Sequence, residues 1–450
     1  ECYPPCRWVL HYEGKRMNVQ EWLDNPKTIQ KSKKGYAHFD YRIDITKAAE
    51  FIKNPENVAH YGFYPFIHYT MKMNKYNAKT GKKLKKREIC YAAHLDRCIY
   101  QYYAWGLNEL YNKRIRKLGI EKVPVAYRTD LSESNIQSAK KAFDFIKENP
   151  QCCVMIGDFT NFFDSLDHQY LKQRWGDLIE SVQLPSDHYA VYKNITRYST
   201  WELDDLLELN DLSDVKGKIR KLNEKKVVLT KEQYKANRKH IKKNSVSYGI
   251  PQGSPISAVL ANIYMLDADA LIYQAVMKCK GFYMRYSDDF IVVLPGKNQI
   301  DTFKSIIDII NAIPGLKLEN RKTQFFQVDT STVINIGKSF SIDADDSQKK
   351  INFLGFSFDG KNIFVRAKTV SKYYYRMNHK AKVIAKNMEL KGADKLYQRY
   401  SERGAFGKRG NFFTYINNAE REFGKDEKIR YDVMNHMSKI RRSLNNQSRE

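Results

Sequence analysis

Apolar and polar positions along this 450-residue chain follow several distinct periods. Short continuous apolar runs, in QCCVMIGD at 151–158 and on both sides of SDD in GFYMRYSDDFIVVLP at 281–295, are too short for buried helices and rich in strand formers. They predict buried strands, the second pair joined as a hairpin. Both segments carry acids to a strand end: Asp158 in the first, and Asp288 and Asp289 at the hairpin tip. KMNKYNAKTGKKLKKR at 72–87 reads as two strands joined by a turn at NAKTG. PQGSP at 251–255 reads as a turn leading into a helix from Ile256. Toward the C-terminus the period becomes helical, predicting helices over 370–390, 393–402, 411–423 and 427–444, with breaks near Gly392, Gly404, Gly407 and Gly424. No internal repeat or long low-complexity segment stands out.

Charge changes the picture. Lys and Arg number 77 against 51 Asp and Glu, a formal net charge of +26, which points to a polyanionic partner, nucleic acid before anionic membrane. Hydrophobic residues at 42% and aromatics at 13% exclude a wholly disordered basic tail. No run approaches the ~20 apolar residues that span a bilayer, and the first segment lacks the order of a signal peptide. Cys2 and Cys6 have no second cluster at zinc spacing, so the seven cysteines read as free thiols of a cytoplasmic protein.

The excess is unevenly placed. Residues 72–87 hold eight bases and no acid; 202–214 hold six acids and no base; 216–243 hold twelve bases and two acids. The adjacent blocks of opposite sign read as a surface insertion with little core of its own. Residues 361–450 hold 22 bases and 9 acids, interleaved with rings that can pack or stack on bases.

Side-by-side carboxylates repel one another, and a divalent cation compensates that cost; Mg²⁺ takes hard oxygen ligands from one or two carboxylates plus substrate phosphates. Acids from two distant strands would suit two ions ~3.5–4 Å apart, as in two-metal phosphoryl transfer. A lone Asp-Asp pair is more often a solvated turn, so the decision rests on its surroundings.

Those surroundings carry a resemblance. YSDDF at 286–290 resembles the Tyr-x-Asp-Asp box of reverse transcriptases, and DFTNFFDSLDH from Asp158 resembles their acidic first palm motif. GIPQGSPISAVLANIYM from Gly249 looks like the motif between them. KTQFF from Lys322 and INFLGFSF from Ile351 fall in the order of the later palm motifs and primer grip, and KKREI, AHLDRCIYQYYAWGLNELY and AYR at 126–128 are similar to fingers motifs of bacterial enzymes. Six motifs in order over residues 60–360 are unlikely by chance.

The resemblance implies an α+β right-hand polymerase with a palm of antiparallel sheet and helices. Its expected parts are an N-terminal extension at 1–60, fingers at 61–150, palm at 151–181 and 245–359, an insertion at 182–244 and a basic helical thumb at 360–450. It implies that Asp158 and Asp288 bind two Mg²⁺ ions, for which Mn²⁺ can substitute, with Asp289 supporting and the Phe159 carbonyl adding a ligand. Phe163 matches a steric gate against the ribose 2′-hydroxyl, and Gln252 a nucleotide-pocket residue. Gly253 and Ser254 would approach the template–base pair. Lys86 and Arg87 match cations that meet the triphosphate, and Lys322 a general acid for pyrophosphate. Tyr286, Leu354 and Gly355 are expected near the primer, and Lys372 and Arg376 on nucleic-acid phosphates.

The tail has no HNH-like Cys and His clusters, and an RNase H domain is not expected. HYGFYPFIHYTMKMNKYN and VYKNITRYSTW look like compact bacterial defence-associated reverse transcriptases, which implies copying of a noncoding RNA into DNA from deoxynucleotides during phage infection, with homo-oligomeric assembly open. An RNA-dependent RNA polymerase is the nearest rival, disfavoured by Phe163. A catalytically silent RNA-binding scaffold is disfavoured by the intact Asp158, Asp288 and Asp289.

Overall fold

The computed structural model describes residues 18–77, 81–128, 130–131, 133–340, 349–385, 392–407 and 410–445. In chain order its strands are β1 (Phe66–Asn77), β2 (Gly81–Tyr91), β3 (Gln151–Asp158), β4 (Ser199–Glu202), β5 (Lys242–Lys243) and β6 (Phe282–Tyr286). They continue as β7 (Asp289–Pro295), β8 (Gln324–Asp329), β9 (Thr332–Asn335), β10 (Ile351–Phe353), β11 (Phe356–Phe358) and β12 (Ile363–Val365). Three sheets result, with orders β2-β1-β4-β5, β6-β7-β3-β8-β9 and β10-β11-β12.

The five-stranded sheet is antiparallel throughout, and its strands are apolar because both faces are covered. Cys153 and Met155 of β3, with Phe290, Val292 and Leu294 of β7, enter one core; Cys152, Val154 and Ile156, with Ile291 and Val293, enter another. The first core is closed by the helices His94–Lys117, His168–Leu178, Ser257–Lys278 and Ile300–Asn311. The second is closed by the helix Asn135–Glu148, by β10–β12 and by the roots of C-terminal helices through Val370, Tyr373, Phe413 and Ile416. Gly157 lies opposite Phe290 in the ladder, and a Cβ there would stand 2.1 Å from the ring. Alanine at this position would overpack the sheet beside Asp158, a change that typically costs ~1–3 kcal/mol.

β1 and β2 form the expected basic hairpin, from Ile67 opposite Tyr91 to Asn77 opposite Gly81; residues 78–80 of the expected turn lie outside the described residues. The expectation for the insertion needs correction. β4 joins β1 in parallel and β5 joins β4, so the 182–244 segment extends the hairpin sheet. Trp201, Leu206, Leu207, Leu222, Val228 and Leu229 are buried in a core of their own, shared with Ala37, Phe39 and Ile67. The charged blocks are its solvated exterior.

The C-terminal helices are Ala367–Ala385, Ala393–Tyr400, Phe412–Phe423 and His436–Asn445. The expected helix over 427–444 is shortened at its start. There Arg430 reaches Glu420 at 2.7 Å, Glu402 at 2.5 Å and also Asn417, while Ile429 and Val433 turn into the second core. Those contacts hold the segment in turns. Residues 386–390 of the first expected helix, and Cys2 and Cys6, lie outside the described residues. Cys90, Cys98, Cys152, Cys153 and Cys279 are free, as expected. Among the described residues no helix is long and apolar enough to cross a membrane.

Candidate active site at the ends of β3 and β7

Register brings the predicted acids together. Asp158, the last residue of β3, lies opposite Asp289, the first of β7, and Asp289 lies opposite Tyr286, the last of β6. Ser287 and Asp288 form the two-residue connection, with Ser287 at a φ of 63°; such tight loops require the left-handed region. Ser287 Oγ lies 3.0 Å from the hydroxyl of Tyr127. Tyr127 belongs to the segment beside β6, where the Val125 N–H donates to the Arg285 carbonyl and the Arg285 N–H to that of Val123.

Burial pushes the Asp289 carboxyl up to about 7, and the charges of Asp288 and Asp158 push the same way. Its hydrogen bond with Asp158 also raises it, while Lys322 opposes the shift. Lys322 Nζ lies 2.5 Å from Asp158 Oδ1. The Lys322 ammonium thus offsets part of the repulsion among the three carboxyls. Lys322 is placed by a turn in which its N–H and that of Thr323 donate to the Glu319 carbonyl, and the Glu319 N–H donates to that of Asp158.

Phe159 faces Leu318 in an isolated antiparallel bridge. The flanking bonds run from Glu319 N–H to the Asp158 carbonyl and from Thr160 N–H to the Lys317 carbonyl. This is the non-hydrogen-bonded type of pair, so the peptide groups of Phe159 point away from Leu318, toward the β7 side where the acids lie. Carboxylate and carbonyl oxygens are the donor types that Mg²⁺ prefers, so the set fits the implied ion chemically. Among the described residues no three acids, His or Cys close into a ready-made cage.

Of the support behind the hairpin, the sequence marks Arg285 as structural or primer-facing, and its partners Asp269 and Asn262 not at all. Arg285 is fully buried, with Nη2 2.6 Å from Oδ2 and Nε 2.8 Å from Oδ1 of the equally buried Asp269. Its Nη1 donates to Asn262 Oδ1 at 3.2 Å and to the Ser287 carbonyl at 3.0 Å. Tyr283 donates to Asp269 at 2.8 Å, and Asn262 Nδ2 to the Ala126 carbonyl at 3.0 Å. Asp269 and Asn262 lie on the helix Ser257–Lys278, where a polar residue in an apolar stretch was the available signal.

Phe163, half-buried, sits in a one-turn helix after β3 and meets Phe162 edge-on. Its carbonyl accepts from the Ile250 N–H, which ties it to the Gln252 segment. The Gln252 side chain bonds Asp164, whose carboxyl desolvation raises. The Gln252 carbonyl accepts from the Cys90 N–H at 2.8 Å, docking the base of β2. Gly253, at a φ of 113°, would bring a Cβ within 2.3 Å of the Cys90 carbonyl, so this contact needs glycine. Ser254 is buried, and its Oγ has no partner among the described residues. Lys86 and Arg87 are exposed, without ion pairs among the described residues, and strand alternation places them on opposite faces of β2.

Leu354 and Gly355 form the tip between β10 and β11, at φ values of 45° and 94°. Asn135 Nδ2 donates to the Leu354 carbonyl at 2.8 Å, and a Cβ at Gly355 would meet the Tyr415 hydroxyl at 3.2 Å. Lys372 and Arg376 lie in the helix Ala367–Ala385, and among the described residues the ion pair to these acids comes from Lys322.

Residues 208–358 match the family model of the reverse transcriptase (RNA-dependent DNA polymerase) domain. A 59-residue stretch is 37% identical to a telomerase reverse transcriptase of Oryzias latipes, covering 13% of this chain and 5% of that protein. Among solved structures, telomerase of Candida albicans in complex with a fragment of telomeric RNA is 14% identical, with a TM-score of 0.40, over 90% of this chain and 65% of that one. Apo telomerase of Candida tropicalis truncated from its C-terminal domain is also 14% identical, with a TM-score of 0.39, over 65% and 54%. The chain thus spans between half and two thirds of those structures. The family match, the antiparallel sheet and the helical C-terminal part agree with the α+β right-hand polymerase fold expected from the sequence.

Proposed function

We propose that this chain is an RNA-directed DNA polymerase that adds deoxynucleotides to a 3′ end. The observation that carries this reading is the opposition of Asp158 and Asp289 across the β3–β7 ladder, beside the Ser287–Asp288 tip. Asp158 precedes the matched domain in sequence, yet register delivers it to the acids inside that domain.

Asp158 and Asp288, supported by Asp289 and the Phe159 carbonyl, would hold Mg²⁺ or Mn²⁺. The chemistry that two such ions supply is activation of the 3′-hydroxyl and neutralisation of the triphosphate. The chain's own groups do the rest. Lys322 Nζ exchanges Asp158 for the nucleotide and gives a proton to the departing pyrophosphate. Phe163 closes the sugar side of the pocket, with Gln252 beside it. Lys86 or Arg87, whichever of the two faces of β2 turns to the pocket, reaches in for the triphosphate, Gly253 and Ser254 lie under the template–base pair, and Tyr286, Leu354 and Gly355 face the primer. In this reading the segments at 61–150, at 151–181 with 245–359, and at 360–450 are fingers, palm and thumb. The template is a noncoding RNA and the setting is bacterial antiphage defence in the cytoplasm. The resemblance of the N-terminal and insertion motifs supports those last assignments.

The test is primer extension by the purified chain with Mg²⁺, an RNA template and labelled deoxynucleotides. Asp288→Asn with Asp289→Asn is expected to abolish label incorporation, and undiminished incorporation would overturn the site.

A further inference from the structure

The helix Ala367–Ala385, the helix Ala393–Tyr400 and the start of Phe412–Phe423 enclose a cleft of about 780 Å³ that touches none of the acids at the ends of β3 and β7. That volume is far beyond an ion and falls within the roughly 300–1,000 Å³ of organic-ligand sites. Four fixed cations line it, Lys372, Arg376, Lys380 and Arg399, and no acidic side chain does among the described residues. All four are exposed, and none makes an ion pair among the described residues.

Its floor is aromatic and rigid. Tyr373 stacks on Phe412 with ring centroids 4.5 Å apart, and the Tyr373 hydroxyl donates to the Tyr400 carbonyl at 2.5 Å. At the rim Tyr375 is 59% exposed, and among the described residues its ring meets only a tilted His379, with centroids 6.4 Å apart. A buried ring serves packing, whereas a ring left in water between unneutralised cations is suited to a flat, anionic ligand.

We propose that this cleft binds a short run of unpaired nucleotides of a single-stranded RNA. Lys372, Arg376, Lys380 and Arg399 hold its phosphates, and a base stacks on Tyr375. A duplex keeps its bases stacked inside and offers Tyr375 no free face, so the ring selects unpaired over paired segments. The assignment to RNA rests on the polymerase reading above, in which the template strand must be held outside the site of copying. The cleft itself rests on the cations and the ring.

Fluorescence polarisation on the full chain, with a labelled single-stranded RNA, an RNA duplex of equal length and a single-stranded DNA of the same sequence, tests this. Stacking contributes ~1–3 kcal/mol per base, so Tyr375→Ala is expected to weaken single-strand binding by roughly 5-fold or more. Duplex binding should be unchanged and Tyr375→Phe should retain affinity. Arg399→Ala should lower the slope of log K against log salt by about 0.7 for the single strand. Equal losses for duplex and single strand would overturn the proposal in favour of a general phosphate surface, and no loss for either would remove the cleft as a binding site. Tighter binding of the DNA than of the RNA would overturn the assignment to a template. Because the readout is binding, Asp288→Asn chains that fail to extend a primer yet bind the single strand normally would leave the cleft standing.

Discussion

Arg285 and Asp269 form a fully buried ion pair, 2.6 Å from Nη2 to Oδ2, directly behind the hairpin that carries Asp288 and Asp289. The same guanidinium holds the Ser287 carbonyl, so the pair connects the helix Ser257–Lys278 to the backbone of the tip. Removing one partner of a buried pair leaves an uncompensated charge, which typically costs ~3–5 kcal/mol. Asp269→Ala is therefore expected to lower stability by about that much in urea titration. It should also slow extension under conditions where the chain is still folded. A variant as stable as the parent would show that the charge of Arg285 is compensated elsewhere.

Lys322 offsets the charge of Asp158, so its removal should split two quantities. Lys322→Ala is expected to lower the Mg²⁺ concentration for half-maximal extension, because the ion no longer competes with an ammonium. The maximal rate should fall by roughly 10²-fold, the lower end of general acid contributions. Titrating Mg²⁺ against single-turnover rate separates the two. A lower rate with an unchanged Mg²⁺ requirement would place Lys322 on the phosphates alone.

Phe163 lies between the end of β3 and the Gln252 segment, its ring half-buried against Phe162. Phe163→Val should raise incorporation of ribonucleotides relative to deoxynucleotides by about 10-fold or more, since a hydroxyl clash of a few kcal/mol is relieved. Competition between the two nucleotides in one primer-extension reaction measures the ratio directly. An unchanged ratio would remove Phe163 as the gate.

His38 ties stability to pH. It is fully buried, with Nδ1 accepting from the Phe39 N–H at 2.9 Å and Nε2 3.2 Å from the Tyr91 carbonyl, which fixes the neutral tautomer. Burial lowers its pKa from 6.5 to about 3. Between those values the unfolded chain binds more protons than the folded one, so this group's contribution is full above 6.5 and is lost as pH falls toward 3. Thermal melting across that window should show a rise with pH that His38→Gln reduces. Identical pH profiles would show that other groups carry the acid sensitivity.

Local pattern revealed the strands that carry Asp158 and the Asp288–Asp289 tip, because both run apolar to a polar end. It did not reveal that Asp158 faces Asp289, since register between segments so distant is set by tertiary packing. Nothing in the local pattern marks Asp269, whose part in a buried pair depends on the distant Arg285. The charged blocks read as an insertion with little core of its own because part of the core beneath them comes from Ala37, Phe39 and Ile67, far away in sequence. The turns at 427–435 were hidden for a similar reason: Arg430 finds its partners on other helices.

The central sheet is a wall shared by two cores, one holding the helix that follows the basic hairpin and the other holding the roots of the C-terminal helices. A force on those roots would bear on β3, β7 and β8, whose side chains they pack against. β3 and β7 are also the strands whose ends fix Asp158 and Asp289. In the proposed reading the sheet that carries the carboxylates is thereby a fulcrum: a pull on the C-terminal helices would pass through the shared apolar core to the β3–β7 ladder and reach Asp158 and Asp289 as strain.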